Sequence, residues 1–167
     1  MALVRTALSA PAVTSFNSLA NSLTGVASSA AITVGTSTNV ADHEIIVTIN
    51  GPATMTGSAT TAVYLFAYAS IDGTNWSGSG TTNELIDGTD KAITWSANGN
   101  QAIPLGTILL TTTSAAASIV YKSKRLYASA AFGVTLPAKY VIVAQNQAGA
   151  ALPASGHSIA VNELSYS

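Results

Sequence analysis

The first residues in this sequence that could do chemistry are Asp42-His43-Glu44, which set an imidazole between two carboxylates. An imidazole and a carboxylate can transfer protons when both reach the same substrate atom. Neighbouring residues of a β-strand, however, point to opposite faces of the sheet. Because these three residues open a predicted strand, we expect no catalytic triad and interpret them as a solvated strand entry.

A second acidic group lies in the glycine-bearing segment NELIDGTD, where Glu84, Asp87 and Asp90 come close together. Calcium prefers many oxygen ligands, and such a segment could supply several of them. The spacing lacks the alternating acids and the final glutamate of an EF-hand loop. We therefore favour a turn with capping side chains, and a calcium site is the alternative.

Sequence motifs typical of enzymes are absent. The chain has no phosphate-binding loop, no dinucleotide fingerprint and no Gly-x-Ser-x-Gly nucleophile turn. A glycan hydrolase would need two carboxylates facing one cleft, and only seven acids are available for that. The absence of cysteine excludes a thiolate metal site. We predict that the protein is not an enzyme and uses no cofactor.

An aromatic row could bind a ligand without doing chemistry. Tyr64, Phe66 and Tyr68 share one face of the predicted strand 62–70. Such a row on an open sheet could stack against sugar rings, which is the alternative hypothesis of a glycan-binding site. Buried aromatic side chains dominate the energetics of cores, so we prefer a place in the core of a sandwich.

The only basic cluster is formed by Lys122, Lys124 and Arg125. Charged residues on a strand edge discourage unwanted pairing with other chains, which is the simplest interpretation. The alternative is contact with an acidic patch on a partner. Arg5 and Phe16, near the N-terminus, are further candidates for partner contacts.

The pattern after residue 40 predicts a β-rich domain. Short stretches of β-branched and aromatic residues are separated by turns such as Asp72-Gly73, and no long helical periodicity occurs. This favours an all-β fold, an antiparallel jelly-roll-like β-sandwich over residues 41–167. Strand 62–70 is apolar on both faces, which predicts a central position. The predicted strands are 44–50, 62–70, 91–96, 101–110, 118–122, 125–132, 139–145 and 157–166.

Residues 1–40 differ from the rest, since Arg5 is their only charge and Ala, Ser, Thr and Asn dominate. The spacing of Phe16, Leu19 and Leu23 predicts one short helical turn over Ser15–Leu23. We expect the remainder to be an extended N-terminal arm that lies on the domain or on a neighbouring subunit.

Charged residues make up only 8% of the chain, and the net charge is −1. About a quarter is ordinary for soluble domains, so few charges keep this protein away from its neighbours. We infer that partners cover much of its surface. The weak net charge predicts no attraction to nucleic acid or to an anionic membrane. Apolar stretches are too short to predict a membrane span.

Three stretches of the sequence resemble small structural proteins of tailed bacteriophages. They are SFNSLANSLTGVASSAA, VYLFAYASIDGTNWSG and SAAFGVTLPAKYVIVAQNQAGAALPASG. The three stretches make up 61 of the 167 residues, and they show a general similarity of sequence rather than an invariant signature. It implies a virion component, and within the virion a capsid cement or decoration protein.

From this resemblance we expect a structural protein that stabilises contacts between copies of the major capsid protein. Its partners would be the major capsid protein and other copies of itself, in a trimer or dimer. The alternative is a tail or baseplate component, or a receptor-binding β-domain that recognises glycans. The resemblance brings no catalytic motif with it.

Overall fold

The computed structural model describes residues 2–35, 39–53, 55, 61–76, 86–94, 102–110 and 119–167. Within these residues the chain forms eleven β-strands and two short helices. The strands are β1 Leu3–Ala7, β2 Gly25–Ser28, β3 Ile32–Thr33, β4 Val40–Asn50, β5 Ala62–Ser70, β6 Lys91–Thr94, β7 Ile103–Leu109, β8 Val120–Lys122, β9 Leu126–Tyr127, β10 Lys139–Gln147 and β11 Ser158–Tyr166. The helices are a 3-10 helix at Thr14–Phe16 and α1 at Ala128–Phe132.

The strands form two sheets, and every described pairing is antiparallel. Sheet A has the order β1-β11-β4-β8, and the short β9 also pairs with β4. Sheet B has the order β6-β2-β10-β5-β7, and β3 also pairs with β10. The predicted all-β antiparallel sandwich is confirmed. The finer jelly-roll assignment stays a prediction.

Alternation of side chains along the strands builds the core between the sheets. In β4, Ile45, Val47 and Ile49 belong to a cluster that also contains Tyr140 and Ile142 of β10. All five side chains are fully buried. Burying one such side chain contributes about 1.5–3 kcal/mol to folding. This cluster therefore determines which face of sheet A is turned inward.

Sheet B is apolar on both of its faces. Val63 and Leu65 of β5 belong to the core between the sheets, whereas Tyr68 belongs to a second cluster on the opposite face. Trp76 and Ile86, from the connection that follows β5, pack in this second cluster. The prediction that β5 is central and covered on both sides is therefore confirmed.

Residues 2–35 contribute to both sheets, whereas the sequence led us to expect an arm. β1 pairs along its whole length with β11, and β2 pairs with β10 and β6. Phe16 and Ala27 are fully buried in the core between the sheets. The helical turn expected over Ser15–Leu23 corresponds to the three residues of the 3-10 helix. Strands of two to five residues are too short to show a clear period in the sequence.

The segment predicted as a strand over residues 125–132 divides into β9 and α1. The prediction is wrong for Ala128–Phe132. The Ser129 amide and hydroxyl both donate hydrogen bonds to the carboxylate of Asp42, and the hydrogen bond from the amide is 3.0 Å long. This carboxylate satisfies an N–H group that the start of a helix leaves free. A cap supplied from 87 residues away gives no local signal in the sequence.

Candidate functional site

A group of charged side chains lies on the outer face of sheet A. Residues directly opposite each other in antiparallel strands share a face. The register places Arg5 of β1 opposite Leu164 of β11, and Asn162 of β11 opposite Glu44 of β4. Because Ile45 points into the core, its neighbour Glu44 lies on the outer face.

Glu44 is at the centre of this group. Arg5 forms an ion pair with its Oε1, Arg125 places Nε 3.7 Å from its Oε2, and Asn162 donates a hydrogen bond to Oε1 at 3.2 Å. A buried carboxylate is costly unless ion pairs and hydrogen bonds replace the water it loses. The two guanidinium groups come from distant parts of the chain. The Glu44 charge is thus compensated within the protein.

The cations around Glu44 are far more exposed than the carboxylate. The side chains of Arg5 and Arg125 are 46% and 64% exposed, against 4% for Glu44. Lys122, opposite Thr48 in the β8–β4 pairing, is exposed on the same side of the sheet. The charge that this face presents to solvent is therefore positive.

Exposed apolar side chains lie beside these cations. Leu3 and Tyr166 are opposite each other at the β1 edge, and Val120 and Tyr127 lie on the β8 and β9 side. All four are classed among the exposed large hydrophobic residues of the chain. Arginine and tyrosine are enriched in protein–protein interfaces. The composition of this face is typical of such an interface.

The predicted partner contacts separate into two groups in the structure. Arg5, Lys122 and Arg125 come together on the outer face of sheet A, and the exposed Lys124 lies in the connection between β8 and β9. Phe16 does not join them, because its side chain is fully buried between the sheets. Phe16 thus serves the core rather than an exposed surface.

His43 occupies the inner face of β4. Its Nδ1 lies 2.9 Å from the hydroxyl of Tyr140, and its Nε2 lies 3.9 Å from Oε2 of Glu163. Nε2 has no hydrogen-bond partner among the described residues. The interpretation of a solvated strand entry is wrong for both His43 and Glu44, which are buried. Strand alternation places His43 inward with Ile45. His43 and Glu44 do lie on opposite faces, as alternation predicts.

The environment keeps His43 and Tyr140 neutral. Burial lowers the pKa of His43 from 6.5, although the charges of Glu163 and Asp42 act in the opposite direction. Burial also raises the pKa of Tyr140, so that its hydroxyl keeps its proton. Both rings lie between the sheets, where they offer no surface to a substrate. The hydrogen bond pairs Nδ1 of His43 with the Tyr140 hydroxyl inside the core.

We expect acid to weaken the fold through His43. Its pKa is lower in the folded state, so the unfolded chain binds the proton more readily once the pH falls below about 6.5. The free energy of unfolding should be constant above that pH and decline below it, by at most about 1.4 kcal/mol per pH unit. Urea unfolding between pH 5 and 8 measures this slope.

The control for this prediction is a pair of histidine variants. His43→Gln should lose the part of the slope that arises from His43, whereas His157→Gln keeps His43 and should retain it. A decline of equal size in His43→Gln would contradict the assignment.

The aromatic row does not form one open surface. Tyr68 is buried and stacks on Trp76, with ring centroids 6.5 Å apart. Tyr64 and Phe66 are half-buried and line an open pocket of about 270 Å³ that also includes Pro104. Trp76 lies in no described strand. Tyr68 is buried as we expected, but in the second cluster on the far side of sheet B rather than in the core between the sheets. Sugar stacking by Tyr64 and Phe66 stays a prediction.

The described loop acids accept hydrogen bonds, Asp87 from its own loop and Asp90 from the distant 3-10 helix. Asp90 accepts hydrogen bonds from the amides of Thr14 and Ser15, at 2.6 and 2.9 Å. Asp87 accepts from the Thr89 amide and from Lys91 at 2.8 Å. Burial would raise the pKa of Asp87, but these bonds prevail and lower it to about 2. The two carboxylates act as caps, as the preferred interpretation has it, and Glu84 lies outside the described residues.

The sequence reasoning missed Tyr140 and Glu163 as neighbours of His43. The sequence held one indication of these contacts. His43 lies two residues from Ile45 and Tyr140 lies two residues from Ile142, so each polar residue shares a strand face with a core residue. Two apolar stripes that face each other would carry both polar residues into the core. Glu163 could be found only with the β4–β11 register, which places it opposite His43.

Comparison of the chain with protein-family models, with curated protein sequences and with solved structures finds no match. In the described part of the chain, no three His, Asp or Glu residues are grouped so that they could hold a metal ion. Across the same residues, no helix has the length and apolar character needed to cross a membrane.

Proposed function

We propose that this protein is a structural component of a bacteriophage particle, a capsid cement protein that binds the major capsid protein through the outer face of sheet A. The observation that carries the proposal is the character of that face. It combines exposed cations with exposed apolar side chains such as Leu3, Val120 and Tyr166. Such a surface suits binding to another protein better than exposure to solvent.

The three stretches that resemble phage structural proteins support the proposal in a second way. They contain β2, β5 and β10, which are adjacent strands in sheet B. The resemblance therefore concerns one packed unit rather than scattered pieces. The outer face of sheet A lies mostly outside these stretches, so the partner contacts would be particular to this chain.

A cement protein acts by mass action. Contacts that exist only in the assembled shell stabilise the shell by an amount that grows with the concentration of free cement protein relative to its dissociation constant. No moving part or catalytic group is required. A two-sheet sandwich with a single well-packed core between its sheets provides a rigid body for this purpose.

The proposal predicts that particles lacking this protein release their genome at a lower temperature than complete particles. The difference should be several degrees, and it should disappear when the purified protein is added back. Thermal release measured with a DNA-binding dye provides the comparison. Depleted particles that withstand heat as well as complete ones would show that the protein does not act as cement.

A further inference from the structure

We propose that the outer face of sheet A recognises an acidic protein surface, by pairing Lys122, Lys124 and Arg125 with carboxylates of the partner. Arg5 adds to the positive charge of this face. This inference rests on the proposed function in one respect only, namely that the acidic surface belongs to the capsid shell. The charge of the face itself is independent of that assumption.

The first argument is the segregation of charge. Four of the six Lys and Arg residues, Arg5, Lys122, Lys124 and Arg125, lie on this face or at its edge. The acid between them, Glu44, is almost fully buried and cannot present its charge to a partner. A chain with a net charge of −1 thus has one locally positive side.

The second argument concerns the donors that remain available. Arg125 places Nε 3.7 Å from Oε2 of Glu44, while its side chain is 64% exposed. The terminal nitrogens of a guanidinium group can bind a carboxylate with two parallel hydrogen bonds. A partner carboxylate could therefore bind Arg125 without displacing Glu44. Such bonds are about twice as strong as those between neutral groups.

A second copy of this chain is a poor candidate for the acidic partner. Like Glu44, the other described acids are hydrogen-bonded or largely buried in their own chain. Asp42 binds Ser129, and the Glu163 side chain is only 18% exposed. The loop acids Asp72, Asp87 and Asp90 accept hydrogen bonds from neighbouring backbone or side chains. A different protein with uncommitted carboxylates complements the face better.

Nucleic acid is a poor candidate as well, because the edge strand β1 has an open side next to this face. Leu8 donates its N–H to Val161 across the β1–β11 ladder. Backbone groups alternate in antiparallel pairing, so those of Leu3, Arg5 and Ala7 point away from β11. No described strand pairs with this edge of β1. Exposed backbone groups and apolar side chains favour a polypeptide partner.

The test compares charge variants in two binding assays. The double variant Lys122→Glu/Lys124→Glu reverses two exposed charges without touching the Glu44 ion pairs, and Arg125→Gln removes the third. Lys139→Glu, in β10 of sheet B, is the matched control. Urea unfolding of each variant verifies that it folds. The probes are phage particles depleted of this protein, and poly-L-glutamate.

We expect the double variant to bind both probes at least tenfold more weakly than the unchanged protein, and Arg125→Gln severalfold more weakly. Lys139→Glu should bind as the unchanged protein does. Binding to either probe should weaken as salt rises from low to physiological concentration, because exposed charges are screened.

The outcomes separate the two proposals. If the protein binds depleted particles and all variants bind equally well, the acidic-surface inference is wrong and the cement function stands. If particles show no binding but poly-L-glutamate binding depends on the three cations, the inference stands and the cement function fails. A duplex DNA probe that binds more tightly than poly-L-glutamate, with the same loss in the variants, would assign the face to nucleic acid and overturn the inference.

Discussion

Replacing Phe16 with alanine should lower the free energy of unfolding by about 3–5 kcal/mol. The ring is fully buried in the core between the sheets, together with Ala27 and Ile142. Its removal loses the burial of an aromatic side chain and leaves a cavity that tight packing cannot fill. Urea unfolding followed by tryptophan fluorescence measures the loss. A change of this size is a large part of the stability of an ordinary domain.

The matched control is Leu23→Ala. Leu23 lies in the same N-terminal segment, but its side chain is 77% exposed. This substitution should change the free energy of unfolding by less than about 0.5 kcal/mol. If Phe16→Ala were as mild as Leu23→Ala, the segment would be a loosely attached arm, as its sequence alone suggested.

The Phe16 case shows why the N-terminal segment was harder to predict than the rest. Its strands are short, and their residues are mostly Ala, Ser, Thr and Gly, whose burial has little effect on a hydrophobic pattern. Phe16 is held between the sheets by contacts with residues distant in the chain. A single aromatic residue in a polar segment carries no period from which such packing could be predicted.

The long central strands were predictable for the opposite reason. β5 and the predicted part of β10 have apolar residues on both faces, which is typical of strands covered on both sides. Their bounds agree with the prediction completely for β5 and within two residues for β10. Strong β-branched content and flanking turns provide local information, and no long-range contact is needed to interpret it.

The charged face could be predicted only in part. The sequence identified Arg5 and the cluster Lys122, Lys124 and Arg125 as candidates, but it gave no reason for Arg5 to lie on the same face as the cluster. Their proximity follows from the register of β1 on β11 and of β8 on β4. Register depends on the whole sheet, so a shift of one residue would send Glu44 into the core and His43 to the surface.

β4 therefore performs two tasks with adjacent residues. Its inner face buries His43 against Tyr140, where a hydrogen bond compensates polar atoms of the core. Its outer face holds Glu44, which fixes two guanidinium groups in place. Ordering Arg5 and Arg125 before a partner arrives reduces the entropy that binding must overcome. The internal carboxylate thus supports recognition without contacting the partner.

Replacing Asn146 with alanine should lower the free energy of unfolding by about 2–4 kcal/mol. Asn146 is fully buried in β10, where its Nδ2 donates to the carbonyl groups of Leu19 and Ala150 at 2.9 and 2.8 Å. Its Oδ1 accepts the amide of Ala148 at 2.9 Å. Each buried backbone group left without a partner costs about 1–3 kcal/mol. The Leu19 carbonyl keeps the amide of Leu152 as a donor. The Ala148 amide and the Ala150 carbonyl therefore account for most of the loss.

Asn21→Ala is the matched control, because the exposed side chain of Asn21 binds the same turn. It accepts the amide of Gly149 at 2.9 Å, and its side chain is exposed. Water can replace this bond, so the free energy of unfolding should fall by less than about 1 kcal/mol. Both values come from urea titrations at neutral pH. Equal losses in the two variants would mean that the bonds of Asn146 are replaced by water, and that the turn is more open than its burial indicates.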